Sequence, residues 1–201
     1  MIKWFRQGLL DNNSYIIYKD EKAIVIDPTG DVNVLINALD GYELVAIVLT
    51  HGHFDHVAGV NKIMDKFNCP IYIHELDMEI AKKETTLSKQ FNCEVIDKKY
   101  PLLKLIPGKF VIDIFEFEVH HTPGHSSGCV LIEYKDSLFT GDTLFQNSIG
   151  RTDLETSNYQ DMKESLKYIK SFTKDYKVYP GHSGISTLNT EKENNPFLRR
   201  I

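Results

Sequence analysis

The sequence is poor in cysteine, contains no long apolar run and carries no excess of basic charge. Its three cysteines, Cys69, Cys93 and Cys129, are odd in number and widely spaced, which argues against a disulfide framework and for a reducing, cytoplasmic setting. None stands in a C-x-x-C pair, so a cysteine-based zinc knuckle is excluded. No stretch approaches the roughly 20 apolar residues that span a bilayer. Met1 to Gln7 lacks the apolar run of a secretory signal, so no membrane partner is expected. The formal net charge is −5, which argues against nucleic acid as a partner, since binding to a phosphate backbone draws on a net basic surface. What remains is an ordinary globular composition, 42% hydrophobic and 25% charged, over 201 residues. That length suits a single domain, 1–201, with a full core.

Tyr15 to Tyr18 and Ala23 to Ile26 read as short strands joined by the polar turn Lys19 to Lys22. Val32, Leu35, Ile36 and Leu39 then recur at helical spacing. Leu44 to Leu49 is an apolar run of strand length, as expected of a strand covered on both faces. Val57, Val60, Ile63, Met64 and Phe67 predict one amphipathic helix. Ile71 to Ile73 is a strand, and Glu75 to Gly108 reads as a helix plus surface loops able to act as a lid. Phe115, Phe117 and Val119 alternate with Glu116, Glu118 and His120, which predicts a half-buried strand with His120 in solvent and His121 turned inward. Val130 to Ile132 and Ser137 to Thr140 form a hairpin at Lys135-Asp136; Tyr159 to Phe172 is a long helix and Lys177 to Tyr179 a last strand. Strands followed by helices in both halves predict an α/β sandwich.

Directly behind the Leu44–Leu49 strand stands Thr50-His51-Gly52-His53-Phe54-Asp55-His56, four metal-capable side chains within six positions. Imidazole and carboxylate suit zinc, iron or manganese, and the absence of thiolate disfavours a purely structural zinc. In a loop the chain can curl so that His51 and His53 face one ion while Asp55 and His56 face another. His125, Asp142 and His182 each follow a strand, each with a glycine immediately before it. Glycine reaches backbone torsions that other residues avoid, so it can aim a ligand inward from a sharp turn. Seven ligands exceed the needs of one tetrahedral ion and predict two divalent ions, with the two oxygens of Asp142 as the bridge. Such ions sit about 3.5–4 Å apart. Asp27 ends a strand in the same manner and is read as the partner that fixes a ligand imidazole from behind.

At these residues the chain resembles the metallo-β-lactamase superfamily, and within it the glyoxalase II (hydroxyacylglutathione hydrolase) branch. The matching elements are Thr50 to His56, Thr122-Pro123-Gly124-His125, Thr140-Gly141-Asp142 and Tyr179-Pro180-Gly181-His182. Gly150-Arg151-Thr152-Asp153 and Glu193 to Arg199 also match, and the likeness runs from Asp11 onward. It implies an α/β (α+β) fold, a four-layer αββα sandwich with the site at one edge of its sheets. By position, His51, His53 and His125 would hold one metal and Asp55, His56 and His182 the other, with Asp142 between; zinc is the first choice of ion, with iron or manganese as alternatives. Arg151 falls where related enzymes contact the carboxylate end of the substrate. The family's C-terminal helical domain has no counterpart here and its glutathione-holding tyrosine is Gly184, which matches the short form of the branch. True β-lactamases typically replace His56 and flavodiiron proteins replace His53, so both branches are set aside.

The chemistry so implied is hydrolysis of a thioester such as an S-2-hydroxyacylglutathione, with a metal-bridging hydroxide as nucleophile and Asp55 orienting it. A thiol, with a pKa near 8.5, leaves as thiolate without a dedicated acid. The alternative is a mononuclear-iron persulfide dioxygenase on the same fold, which typically shows Pro-Ala-His-Asp where this chain has Pro180-Gly181-His182-Ser183. A non-catalytic metal-binding protein is a distant third.

Overall fold

The computed structural model describes residues 1–8 and 10–201. Its first sheet takes its strands in chain order: β1 (Ile2–Gln7), β2 (Asn12–Lys19), β3 (Lys22–Ile26), β4 (Glu43–Val48), β5 (Ile71–Ile73) and β6 (Leu102–Lys104). β1 to β3 form an antiparallel meander, and β3 to β6 run parallel. Parallel neighbours need crossovers. These are α1 (Val32–Ala38) before β4, then α2 (Phe54–Val57) and α3 (Val60–Phe67) before β5. A 3₁₀ turn (Glu75–Asp77), α4 (Met78–Lys82) and α5 (Thr86–Gln90) precede β6.

The second sheet contains β7 (Gly108–Ile112), β8 (Phe115–His121), β9 (Val130–Tyr134), β10 (Ser137–Gly141), β11 (Lys177–Pro180) and β12 (Ser186–Thr187), again in order across the sheet. Only β10 and β11 pair in parallel, and α6 (Tyr159–Lys170) crosses between them. Two short helices, α7 (Leu188–Asn194) and α8 (Pro196–Arg199), follow.

Side-chain alternation along the strands separates three buried layers. Ile16, Val25, Ile47 and Leu49 pack outward under Val32, Leu35, Val60 and Ile63 of α1 and α3. Tyr15, Ile17, Ile24, Ile26 and Val48 meet Phe115, Phe117, Val119, Ile132 and Phe139 between the sheets. Leu131, Leu138 and Val178 pack outward under Met162, Leu166 and Ile169 of α6 and Leu198 of α8. The order is helix, sheet, sheet, helix, as expected. At the site end of the middle layer, Tyr15, Phe139 and Tyr179 form a triad with centroids 5.0–5.4 Å apart, and the Tyr15 hydroxyl donates to Pro180 O at 2.6 Å.

Several boundaries differ from the sequence expectation. The single helix expected over Val57 to Phe67 is two, broken where Gly59 N donates to Pro28 O at 2.9 Å and ties the segment to the end of β3. The hairpin turn after β2 is tighter, because Lys19 and Lys22 still pair and only two residues lie between them. Glu75 to Gly108 holds β6 besides its helices. His120 is not in solvent: α6 covers it, its Nδ1 lies 2.9 Å from Tyr168 Oη, and it packs on Phe172. His121 stacks on His74 with centroids 4.3 Å apart and donates from Nε2 to Ser127 O. Among the described residues no helix is long and apolar enough to cross a membrane.

Candidate metal centre

The carboxyl ends of β3 and β4 in one sheet, and of β8, β10 and β11 in the other, open on one edge of the sandwich. Asp27, the Thr50–His56 segment, His125, Asp142 and His182 all lie there. The glycines ahead of the later ligands act as expected at Gly124 and Gly141, whose φ values are +147° and +47°. Gly181 differs: its torsion is ordinary, but a Cβ there would collide with Asp142 Oδ1 and His56 Cε1.

His51, His53 and His125 form one group, each offering a nitrogen within 4.8 Å of the others. Their other nitrogens are held from behind. The Thr50 hydroxyl donates to Asp27 Oδ2 at 2.6 Å, so toward His51 Nδ1, 3.1 Å away, it acts as acceptor. That leaves His51 Nε2 as a buried lone pair with no hydrogen-bond partner. His125 Nδ1 donates to Arg151 O at 2.9 Å, and His53 Nε2 lies 2.8 Å from Thr156 Oγ1. The remaining nitrogens, His53 Nδ1 and His125 Nε2, face each other at 2.8 Å. Burial, reinforced by the neighbouring histidines, holds His51 well below the usual imidazole range, and burial with His125 pushes His53 down to about 4. Neutral imidazoles with converging lone pairs are what a cation requires, and the donor set fits one.

Asp55, His56 and His182 form a second group. His56 Nδ1 lies 3.0 Å from Asp27 Oδ2, and His182 Nδ1 donates to Leu10 O at 3.0 Å. Asn12 Nδ2 donates to Asp55 Oδ2 at 2.8 Å. Burial works against charge on these histidines, yet Asp142 and Asp55 raise His56 well above its usual range and His182 to about 9. The same coupling overcomes burial at the acids, holding Asp55 at about 2 and Asp142 well below the carboxylate range.

Asp142 touches both groups. Its Oδ1 lies 3.2 Å from His56 Nε2, and its Oδ2 lies 3.3 Å from His125 Nε2 and 3.4 Å from His182 Nε2. All seven expected ligands therefore converge. Asp27 sits behind His56 and also accepts from Thr50 N at 2.8 Å, so it braces both ends of the ligand segment. Arg151 is split: its carbonyl orients His125, while its guanidinium is at the surface in a bidentate pair with Asp153 at 2.8 and 2.9 Å. Sequence reasoning did not assign roles to Thr50, Asn12 and Thr156. Thr50 and Asn12 lay within the matched segments, whereas nothing marked Thr156, which reaches His53 across 103 residues.

The profile of the metallo-β-lactamase superfamily matches residues 8–182. Hydroxyacylglutathione hydrolase GloC of Haemophilus influenzae is 33% identical over 202 residues, covering 92% of either chain. Among solved structures, BLEG-1, described as a B3 metallo-β-lactamase, superposes with a TM-score of 0.91 at 34% identity, covering 98% of this chain and 99% of its own. TTHA1623, solved in a di-iron-bound form, gives 0.88 at 32% identity, with 98% and 100% covered. Fold, ligand geometry and sequence agree, and the chain belongs to the metallo-β-lactamase superfamily.

Proposed function

We propose that this chain is a dinuclear metal hydrolase of thioesters. The observation that carries the reading is Asp142, whose two oxygens reach the two groups from one buried carboxylate. His51, His53 and His125 would hold one ion, Asp55, His56 and His182 the other, with Asp142 shared. Imidazole and carboxylate without thiolate accept zinc, iron or manganese, and we take zinc first. The di-iron form of TTHA1623 supports two ions on this arrangement. When bound, divalent cations supply Lewis acidity that brings a water's pKa to about 7 and polarises a carbonyl.

The chain's own contribution is to orient and to limit. Asp55, kept ionised at about 2 and fixed by Asn12, is an acceptor that can take a water's hydrogen and aim its lone pair. Asp142 is ionised as well, so neither carboxylate has a proton to give a departing group. With His56 and His182 given up to the ions as neutral ligands, a leaving group must depart without a proton from these residues, which suits a thiolate and not an amine. This argument, and the name of the Haemophilus relative, favour S-2-hydroxyacylglutathione-type thioesters over β-lactams. Arg151 meets an acidic end of the substrate by exchanging Asp153 for it.

The test is metal analysis of purified protein beside a substrate panel of S-lactoylglutathione, simple acyl thioesters, a β-lactam and glutathione persulfide. Two metal equivalents, with thioester hydrolysis lost on chelation and restored by zinc, manganese or iron, are expected. One iron per chain with oxygen uptake on the persulfide, or turnover of the β-lactam alone, would overturn the reading.

A further inference from the structure

Asp77, the last residue of the 3₁₀ turn after β5, is completely buried. A buried carboxylate is costly unless donors surround it. Among the described residues Asp77 forms no ion pair; its donors are Gly52 N at 2.8 Å and Ser126 Oγ at 2.5 Å on Oδ2, and Gly128 N at 2.6 Å on Oδ1. Gly52 lies between His51 and His53 on the loop from the first sheet. Ser126 and Gly128 follow His125 on the loop from the second. One carboxylate thus clasps both loops that carry the three-histidine group. Both glycines are shaped to the clasp, since a Cβ at Gly52 would stand 2.6 Å from Asp77 O and one at Gly128 2.6 Å from Asp77 Oδ1. The Asp55, His56 and His182 group is held by other partners: Asn12, Asp27 and the Leu10 carbonyl.

We propose that Asp77 is a positioning residue that sets the separation of the His51–His53 loop from the His125 loop, and so the geometry of the three-histidine metal site alone. This rests on the two-ion reading above. In Asp77→Asn one acceptor oxygen becomes an NH₂ that must face a backbone N–H or a hydroxyl donor, so the clasp opens on one side. In Ser126→Ala only one of the three bonds goes, and both backbone donors stay in place.

The experiment titrates metal-free protein with cobalt(II) alone, following visible absorption and competing with a chromophoric chelator, beside far-ultraviolet circular dichroism to confirm folding. The wild type should take up two ions. In Asp77→Asn the affinity of one should fall by about 10- to 100-fold, the range for partners that orient metal ligands. Its absorption band should shift, and the other ion should be retained within about two-fold. Ser126→Ala should weaken the same ion by less, and it carries the test should Asp77→Asn not fold. Equal weakening of both ions, or unchanged binding of both in a folded variant, would overturn the proposal. A wild type that takes up only one ion would sink the two-ion reading, and the role of Asp77 is then decided by whether that ion's affinity falls in the variant.

Discussion

The two ligand groups, three histidines in one and an aspartate with two histidines in the other, differ in charge. In the three-histidine group, hydroxyls and a carbonyl stand behind the rings, and burial keeps His51 and His53 neutral. In the Asp55, His56 and His182 group, carboxylates stand behind and beside the rings, and both histidines are held protonated. The difference lies in the carboxylates beside each imidazole, Asp55 within the second group and Asp142 and Asp27 against it. A cation entering the first group meets neutral His51 and His53, with His51 Nε2 unpartnered, whereas one entering the second must displace protons.

The largest expected effect comes from removing what the groups share. Asp142→Ala should reduce thioester hydrolysis by more than about 100-fold, since even partners standing behind ligands cost 10–100-fold. Metal content should fall toward one equivalent. Full retention of two ions would break the assignment of Asp142 as the bridge. Next is Asp27→Ala, which strips His56 of its charged partner and the Thr50 amide and hydroxyl of their acceptor. Breaking so buried a pair should destabilise the metal-free protein by about 3–5 kcal/mol, read from the denaturant midpoint. A loss below about 1 kcal/mol would mean the pair is poorly formed.

The contrast in protonation is tested by calorimetry in buffers of different ionisation enthalpy near pH 7. Filling the Asp55, His56 and His182 group should release about one or two protons and filling the three-histidine group fewer, since His51 and His53 are already neutral. Equal release at both steps would erase the distinction. The metal-free protein should also report it through pH. His182 has a folded pKa of about 9, above its unfolded value, so its contribution is complete below the unfolded pKa and is lost as pH rises through 9. His53, at about 4, acts oppositely: the unfolded chain binds its proton first, so stability falls as pH drops from the usual imidazole range toward 4. Urea midpoints at pH 5, 6.5 and 9 should therefore be highest at 6.5. The smallest effect is expected from Arg151→Ala, with an unchanged melting temperature and a KM raised a few-fold only for substrates with an acidic end.

The convergence of the seven candidate ligands was legible because each member announces itself locally, as a histidine or aspartate behind a strand, with glycine before each of the later three. The α/β sandwich was legible from strands followed by helices in both halves and from the alternation of β8, whereas β2 and β3 are buried along nearly their whole length and carry no such rhythm. What was not legible depends on distance in the chain. Asp77 meets its three partners across 25, 49 and 51 residues, and nothing in Glu75-Leu76-Asp77 marks it as other than a surface turn. β6 and β12, with three and two residues, are too short for a period to register. His120 was misplaced because Glu116 and Glu118 set the apparent character of its face, while the helix covering it begins some forty residues later.

The aromatic triad of Tyr15, Phe139 and Tyr179 bears on the order in which the molecule assembles. Its members come from both sheets and need no ion, and each such ring pair adds about 0.5–1.5 kcal/mol beyond its burial. Its Tyr15–Tyr179 pair and the Asn12–His182 contact beside it both close most of the chain, the latter across 170 residues, a late event in folding because long loops lose their entropy before they gain contacts. The apolar seam and the socket at its edge should therefore close in the same late step, driven by rings that need no ion. Metal loading is then a step after folding, and a chelator should empty the centre while leaving the barrier to unfolding largely where the aromatic seam sets it.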